Sequence, residues 1–229
     1  MNTPQPSRWP ELFDVAMSII DQANGQGIGM HNWSFGGGTA LMLQIRHRES
    51  HDIDLFIDDA QYLPYLNPET QGYDLTLAPS DYETDGTRAL KIVFDGVGEI
   101  DFICCDPVTE EPFAVSEIRG RSIKLETPAE ILAKKVVFRG SHLQPRDMFD
   151  IAAVAQALGE DYVVDACSRF PAACEEALRV TEKMNPRLVE SVTAKLLVSE
   201  GFQALQTRAQ TITKELLTAV VTRTGAQRR

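Results

Sequence analysis

Residues 33–58, WSFGGGTALMLQIRHRESHDIDLFID, decide how this chain is read. Gly36, Gly37 and Gly38 follow a short apolar approach over His31 to Phe35. Thr39 then opens the run ALMLQI, made of good helix formers with apolar residues at helical spacing. The order is strand, tight turn, helix. A glycine turn entering a helix leaves unpaired backbone N–H groups and the positive end of the helix dipole aimed at one spot, with no side chains in the way. Phosphate is the ligand such a place favours. A basic link, Arg46-His47-Arg48-Glu49-Ser50-His51, leads on to Asp52-Ile53-Asp54-Leu55-Phe56-Ile57. This last run alternates as a strand does, with Ile53, Leu55 and Ile57 on one face and Asp52, Asp54 and Phe56 on the other. Two carboxylates side by side, away from the apolar face, are the oxygen donors that Mg²⁺ takes alongside substrate phosphates. Glycine turns and solvated Asp-x-Asp pairs are each common alone. Their ordered combination carries the argument.

A third carboxylate lies farther along. Residues 88–94 (RALKIVF) and 98–104 (GEIDFIC) are both strand-like, and Asp95-Gly96 between them is a strong hairpin signal. Alternation puts Ile100, Phe102 and Cys104 on one face and Glu99, Asp101 and Ile103 on the other. Asp101 can therefore point away from the core, as Asp52 and Asp54 do. Three acids on neighbouring strands suit a two-metal phosphoryl-transfer site, in which two bridge the cations and the third holds one metal and receives a proton.

The flanking segments read as helix. Leu12, Val15, Ala16, Ile19 and Ile20 form an amphipathic stripe over residues 10–23, ended by Asn24-Gly25-Gln26-Gly27. Residues 58–85 are polar and broken by Pro64, Pro68, Gly72 and Pro79, with room for a short helix and an edge strand. From Glu126 the character is helical throughout. Thr127-Pro128-Ala129-Glu130 is the pattern of a capping box, opening a helix that stops at Gly140. Further helices are expected over 145–158, 162–170, 171–181, 186–198 and 202–222. In the last, Phe202, Leu205, Ala209, Ile212, Leu216 and Ala219 form a packing seam.

The expected architecture is α/β (α+β), a mixed sheet flanked by helices with a helical bundle after it, divided into residues 1–125 and 126–229. The 229 residues are 43% hydrophobic and 24% charged, which suits a soluble globular protein, and the net charge of −11 opposes nucleic acid and anionic membranes except at a local patch. Such a patch is available among Arg119, Arg121, Lys124, Lys134, Lys135, Arg139 and Arg146. No apolar run approaches the roughly 20 residues needed to span a bilayer. The N-terminal residues lack a charged-then-apolar signal, so a cytoplasmic location without membrane contact is expected. Cys104, Cys105, Cys167 and Cys174 have no metal-like spacing and read as reduced thiols.

Taken together, Gly37-Gly38-Thr39-Ala40-Leu41, His47-Arg48-x-Ser50-x-Asp52-x-Asp54, Lys135 and Arg146-Asp147-x-x-Asp150 closely resemble the AbiEii/AbiGii toxin family. Its members are minimal nucleotidyltransferases of the DNA polymerase β-like superfamily and serve in toxin–antitoxin and phage-exclusion systems. The resemblance implies that Gly37, Gly38 and Thr39 hold a triphosphate, with Arg48 and Ser50 beside them. Asp52, Asp54 and Asp101 become catalytic metal ligands, Lys135 is catalytic through its contact with nucleotide phosphate, and Arg146 and Asp147, in a later helical motif with Asp150, bind nucleotide. It further implies Mg²⁺ or Mn²⁺, an NTP substrate, an acceptor hydroxyl on RNA, tRNA or protein, and a cognate antitoxin. The oligomeric state stays open. His47 and His51 flank the acids and receive no catalytic role. Two alternatives stand beside this reading. A silent nucleotide- or partner-binding module would have no need of all three aspartates, and an unrelated metal-dependent hydrolase would have none of the triphosphate turn.

Overall fold

The structure, a computed structural model, describes residues 6–227. Its chain partitions into two compact units. The first gathers the chain up to Leu41, Ser50–Pro107 and Phe113–Glu126; the second gathers Met42–Glu49, Val108–Pro112 and the chain from Thr127 on.

The first unit is built on a seven-stranded mixed sheet. Helix α1 (Trp9–Gly25) is amphipathic as its stripe requires, with Leu12, Phe13, Ala16, Ile19 and Ala23 wholly buried. Strand β1 (Trp33–Gly36) enters helix α2 (Gly37–Ile45), which begins at Gly37, two residues earlier than the expected Thr39. Strand β2 (Ile53–Ile57) carries the Asp-x-Asp alternation, with Ile53, Leu55 and Ile57 buried and Asp54 and Phe56 half-buried. The polar segment after it forms a 3-10 helix (Ala60–Leu66), the one-turn α3 (Pro68–Gln71) and the edge strand β3 (Asp81–Thr84). Strands β4 (Ala89–Phe94) and β5 (Gly98–Cys104) make the expected hairpin, in which Gly96 supplies the positive φ of the turn.

A second hairpin, β6 (Phe113–Ile118) and β7 (Arg121–Glu126), has no counterpart in the sequence reading. Its turn is Arg119-Gly120, both at positive φ, as a tight hairpin turn requires. Along β7 the buried Ile123 and Leu125 alternate with Ser122 and Lys124. The strand order is β3-β4-β5-β2-β1-β7-β6, with β1 parallel to β7, β2 parallel to β5 and the other neighbours antiparallel.

The second unit is helical: α4 (Pro128–Arg139), α5 (Pro145–Leu158), α6 (Glu160–Cys167), α7 (Pro171–Lys183), α8 (Pro186–Thr193) and α9 (Leu205–Gln227). Pro128, Pro145, Pro171 and Pro186 each stand at a helix start, where the missing N–H costs nothing. Thr127 accepts from the Glu130 amide as an N-cap should, but the Glu130 carboxylate does not close the box. It accepts instead from the Val108 and Thr109 amides and the Thr109 hydroxyl. Helix α8 ends at Thr193, short of the expected Val198, because residues 197–199 pair with the link after α2: Glu49 N–H donates to Leu197 O and Ser199 N–H to His47 O. On α9, which packs on α5 and α7, the buried stripe is Leu205, Ala209, Thr213, Leu216, Leu217 and Val220; Ala219 of the expected seam is exposed.

Candidate active site

The register of four strands lays a row of residues across the carboxylate face of the sheet. Gly36 on β1 is opposite Asp54 on β2, Asp54 is opposite Asp101 on β5, and Asp101 is opposite Lys91 on β4. Neighbouring strands lie about 4.8 Å apart, so the two aspartates are immediate neighbours. Asp52 precedes β2 on the same face, and its Oδ1 accepts from the Glu99 amide at 3.1 Å, which ties it to β5.

The glycine turn meets this row directly. Gly37 has φ +67, and a Cβ there would collide with the Asp54 carboxylate. A Cβ at Gly36 would collide with the carboxylate of Glu126, which is buried and accepts from Ser34 Oγ at 2.8 Å. Bare Cα atoms are thus required where the backbone passes between two carboxylates into the start of a helix. Gly38 is half-buried, and Thr39, wholly buried, donates its hydroxyl to the Asp52 carbonyl at 2.5 Å. Thr39 therefore fixes the Asp-x-Asp strand against the helix start through its side chain. Ser50 is buried, and its carbonyl accepts from Ser7 Oγ.

Lys91, Glu99, Ser34 and Glu126 were not singled out from sequence. The Lys91 ammonium pairs with Asp101 Oδ2 at 3.1 Å and with Glu99 more closely. Burial opposes its charge, but the two carboxylates prevail and hold its pKa above the usual lysine value. Burial lifts the Asp101 carboxyl above the ordinary range; Lys91 pulls it back, while Glu99 and Asp52 add to the rise. The signal for Lys91 lay in the hairpin: a turn over residues 95–97 puts Phe94 opposite Gly98, and therefore Lys91 opposite Asp101.

Among the described residues, no three His, Cys, Asp or Glu side chains converge as a set of metal ligands. In kind, the donors suit a hard cation: Asp54 and Asp101 are adjacent oxygen ligands, Asp52 is on the same face, Gly37 leaves the Asp54 carboxylate uncovered by any Cβ, and an ammonium is already seated on Asp101.

The remaining expected residues belong to the second unit and form a different constellation. Asp150 is wholly buried, and Arg48 grips it bidentately, Nε to Oδ1 at 2.7 Å and Nη2 to Oδ2 at 3.0 Å. His47 Nε2 is 2.9 Å from Asp150 Oδ1, and Lys135 Nζ is 3.0 Å from Oδ2. Lys135, expected on a nucleotide phosphate, is buried and also donates to Asp147 Oδ1 at 2.5 Å. Asp147 accepts in addition from the Gln144 amide at the start of α5. Burial disfavours the charge on Asp150, but Arg48, Lys135 and His47 overcome it and hold the carboxyl far below its usual range. Asp147 is lowered in the same way by Lys135 and Arg139. Burial pushes His47 down, so the neutral imidazole donates from Nε2 and leaves Nδ1 as a buried nitrogen with no hydrogen-bond partner. Arg146 is exposed on the first turn of α5.

The basic residues expected to offer an acceptor surface are mostly engaged. Arg119 pairs with Asp14 and Arg121 with Asp21, Lys124 donates to Asn32 Oδ1, Lys134 pairs with Glu130, and Arg139 lies 3.5 Å from Asp147. No helix among the described residues is long and apolar enough to cross a membrane. The four cysteines are free thiols, with Cys167 and Cys174 buried and Cys104 and Cys105 half-buried.

Several solved structures are similar to this chain. The crystal structure of JHP933 from Helicobacter pylori is similar with a TM-score of 0.47 and 14% identity, over 98% of this chain and 97% of that one. Lincosamide antibiotic adenylyltransferase LnuA, solved with lincomycin bound, has a TM-score of 0.45 and 16% identity, over 67% of this chain and 99% of its own. The CD-NTase CdnG of Bradyrhizobium diazoefficiens, in complex with GTP, has a TM-score of 0.35 and 11% identity, over 97% of this chain and 89% of its own. No curated protein matches. The family described as nucleotidyl transferase AbiEii toxin, of type IV toxin–antitoxin systems, matches residues 22–219, a span that includes the glycine turn, all three aspartates and the buried cluster around Asp150. The chain belongs to the AbiEii family of nucleotidyl transferase toxins.

Proposed function

We propose that this protein transfers a nucleoside monophosphate from an NTP to a hydroxyl acceptor and acts as the toxin of a toxin–antitoxin pair, in the cytoplasm and opposed by a cognate antitoxin. The observation that carries the reading is the Gly36–Asp54–Asp101 row, entered by a helix whose first residue, Gly37, lies directly against Asp54.

The backbone N–H groups of Gly37, Gly38 and Thr39 grip the terminal phosphates, since the helix start offers unpaired donors and the bare glycine Cα atoms let a phosphate approach. Asp52, Asp54 and Asp101 would hold Mg²⁺ or Mn²⁺, which when bound neutralises the triphosphate and the departing pyrophosphate. Asp101 accepts the proton of the attacking hydroxyl. Thr39, through its bond to the Asp52 carbonyl, keeps strand and turn in register. For Arg48, Lys135, Asp147 and Asp150 we assign a supporting role: their charges neutralise one another in a buried network that holds α4, α5 and the link after α2 together. Arg146, exposed, is the member of that motif left to meet a nucleotide or an acceptor end.

The acceptor is an RNA end, tRNA included, or a protein hydroxyl. Incubation with each NTP labelled at the α-phosphate, total RNA and either cation, beside Asp52→Ala and Asp101→Ala, tests the proposal. Label in RNA or protein with wild type alone is expected. Bound nucleotide without transfer under any condition would leave a silent binding module, and phosphate release without adduct would indicate a hydrolase.

A further inference from the structure

Lys91 lies inside the carboxylate row and has two partners, Asp101 and Glu99. Its side chain is 27% exposed, and neither partner is fully buried, so the ammonium can shift between them without crossing a packed core. Asp52, Asp54, Glu99 and Asp101 share this face of neighbouring strands, joined by register and by the Glu99 amide bond to Asp52. Lys91 offsets the repulsion between Glu99 and Asp101. A divalent cation binding to Asp54 and Asp101 would meet that same ammonium at Asp101, and the two positive charges drawn to one carboxylate repel each other at contact distance.

We propose that Lys91 is a resident counter-cation of the active site: it holds Asp101 while no metal is bound, and releases it by retreating to Glu99 when a divalent ion arrives. Lys91 is thus a positioning residue, and the Lys91–Glu99 pair sets the metal concentration at which the site assembles. This inference rests on the reading of Asp52, Asp54 and Asp101 as metal ligands.

Mn²⁺ binding to the full chain without nucleotide, followed by electron paramagnetic resonance, tests it independently of activity. Lys91→Met should tighten Mn²⁺ binding roughly tenfold, the size expected for one unit charge acting over contact distance in half-exposed protein. Lys91→Arg, which keeps the charge, should stay near wild type. Glu99→Gln should weaken binding, and by more in wild type than in the Lys91→Met background, because Glu99 acts through Lys91. Thermal melts identify a variant that has not folded, and Lys91→Gln serves if Lys91→Met fails. Binding that is lost in Asp54→Asn yet unchanged or weaker in Lys91→Met would overturn this inference and spare the metal site. No binding in either wild type or Lys91→Met would overturn both.

Discussion

A methyl group at Gly37 would enter the space of the Asp54 carboxylate and force a side chain into a left-handed conformation. The conformation alone costs about 1–2 kcal/mol, so Gly37→Ala should lower stability by at least that amount in denaturant titrations and abolish transfer. Gly38→Ala should be the milder change in the same assays, because Gly38 lies inside α2, where a helical backbone suits alanine. At this scale the outward facing of Asp52, Asp54 and Asp101 was legible from alternation within each strand, while their meeting across β2 and β5 comes from the register. The contacts of Lys91 with Asp101 and Glu99, and of the Glu99 amide with Asp52, were not, since they depend on which strands pair and on side-chain reach. Lys135 shows a different limit. Its helix was evident, but only packing reveals that its ammonium is enclosed between two aspartates.

Among the elements, those with a local cause were read correctly. The Asp95-Gly96 turn, the Thr127 cap and the helix-initiating prolines act within a few residues of themselves. Thr127→Ala should therefore cost about 1 kcal/mol, through loss of the bond to the Glu130 amide, measurable as a lower thermal midpoint. Elements shaped by distant partners were misread. The β6–β7 hairpin becomes visible only as the continuation of a sheet through β1, and α8 stops early because residues 197–199 are recruited as partners of the link after α2. The stripe on α9 is rotated from the expected seam because the helix packs on α5 and α7, which supply their own apolar surfaces.

Across the whole molecule, a carboxylate row and a buried ionic cluster divide the labour differently. Asp150, wholly enclosed by Arg48, Lys135 and His47, supports the helical unit. Removing one member of a buried network leaves an uncompensated charge, so Asp150→Ala should lower stability by about 3–5 kcal/mol, read by chemical denaturation. The cluster also makes stability dependent on acid. His47 is held neutral in the fold, whereas an unfolded histidine takes a proton near pH 6.5. Its contribution is complete above that pH and is lost as pH falls from there toward the depressed folded pKa. Asp147 and Asp150, also depressed, contribute fully above about pH 4 and lose that contribution as pH falls below it. Unfolding free energy should thus decline in two stages on acidification, and His47→Asn should remove the first.

The family places the chain among nucleotidyl transferases; the central claim is that the Asp52, Asp54 and Asp101 face performs the transfer. One measurement bears on it most directly: incubation of the protein with an NTP labelled at the α-phosphate, in parallel with the same NTP labelled at the γ-phosphate, with pyrophosphate release followed. The account predicts α-label in the acceptor, pyrophosphate released one for one, no γ-label transferred, and all of this lost in Asp54→Asn. Transfer of γ-label, or α-label transfer that survives Asp54→Asn, would contradict it.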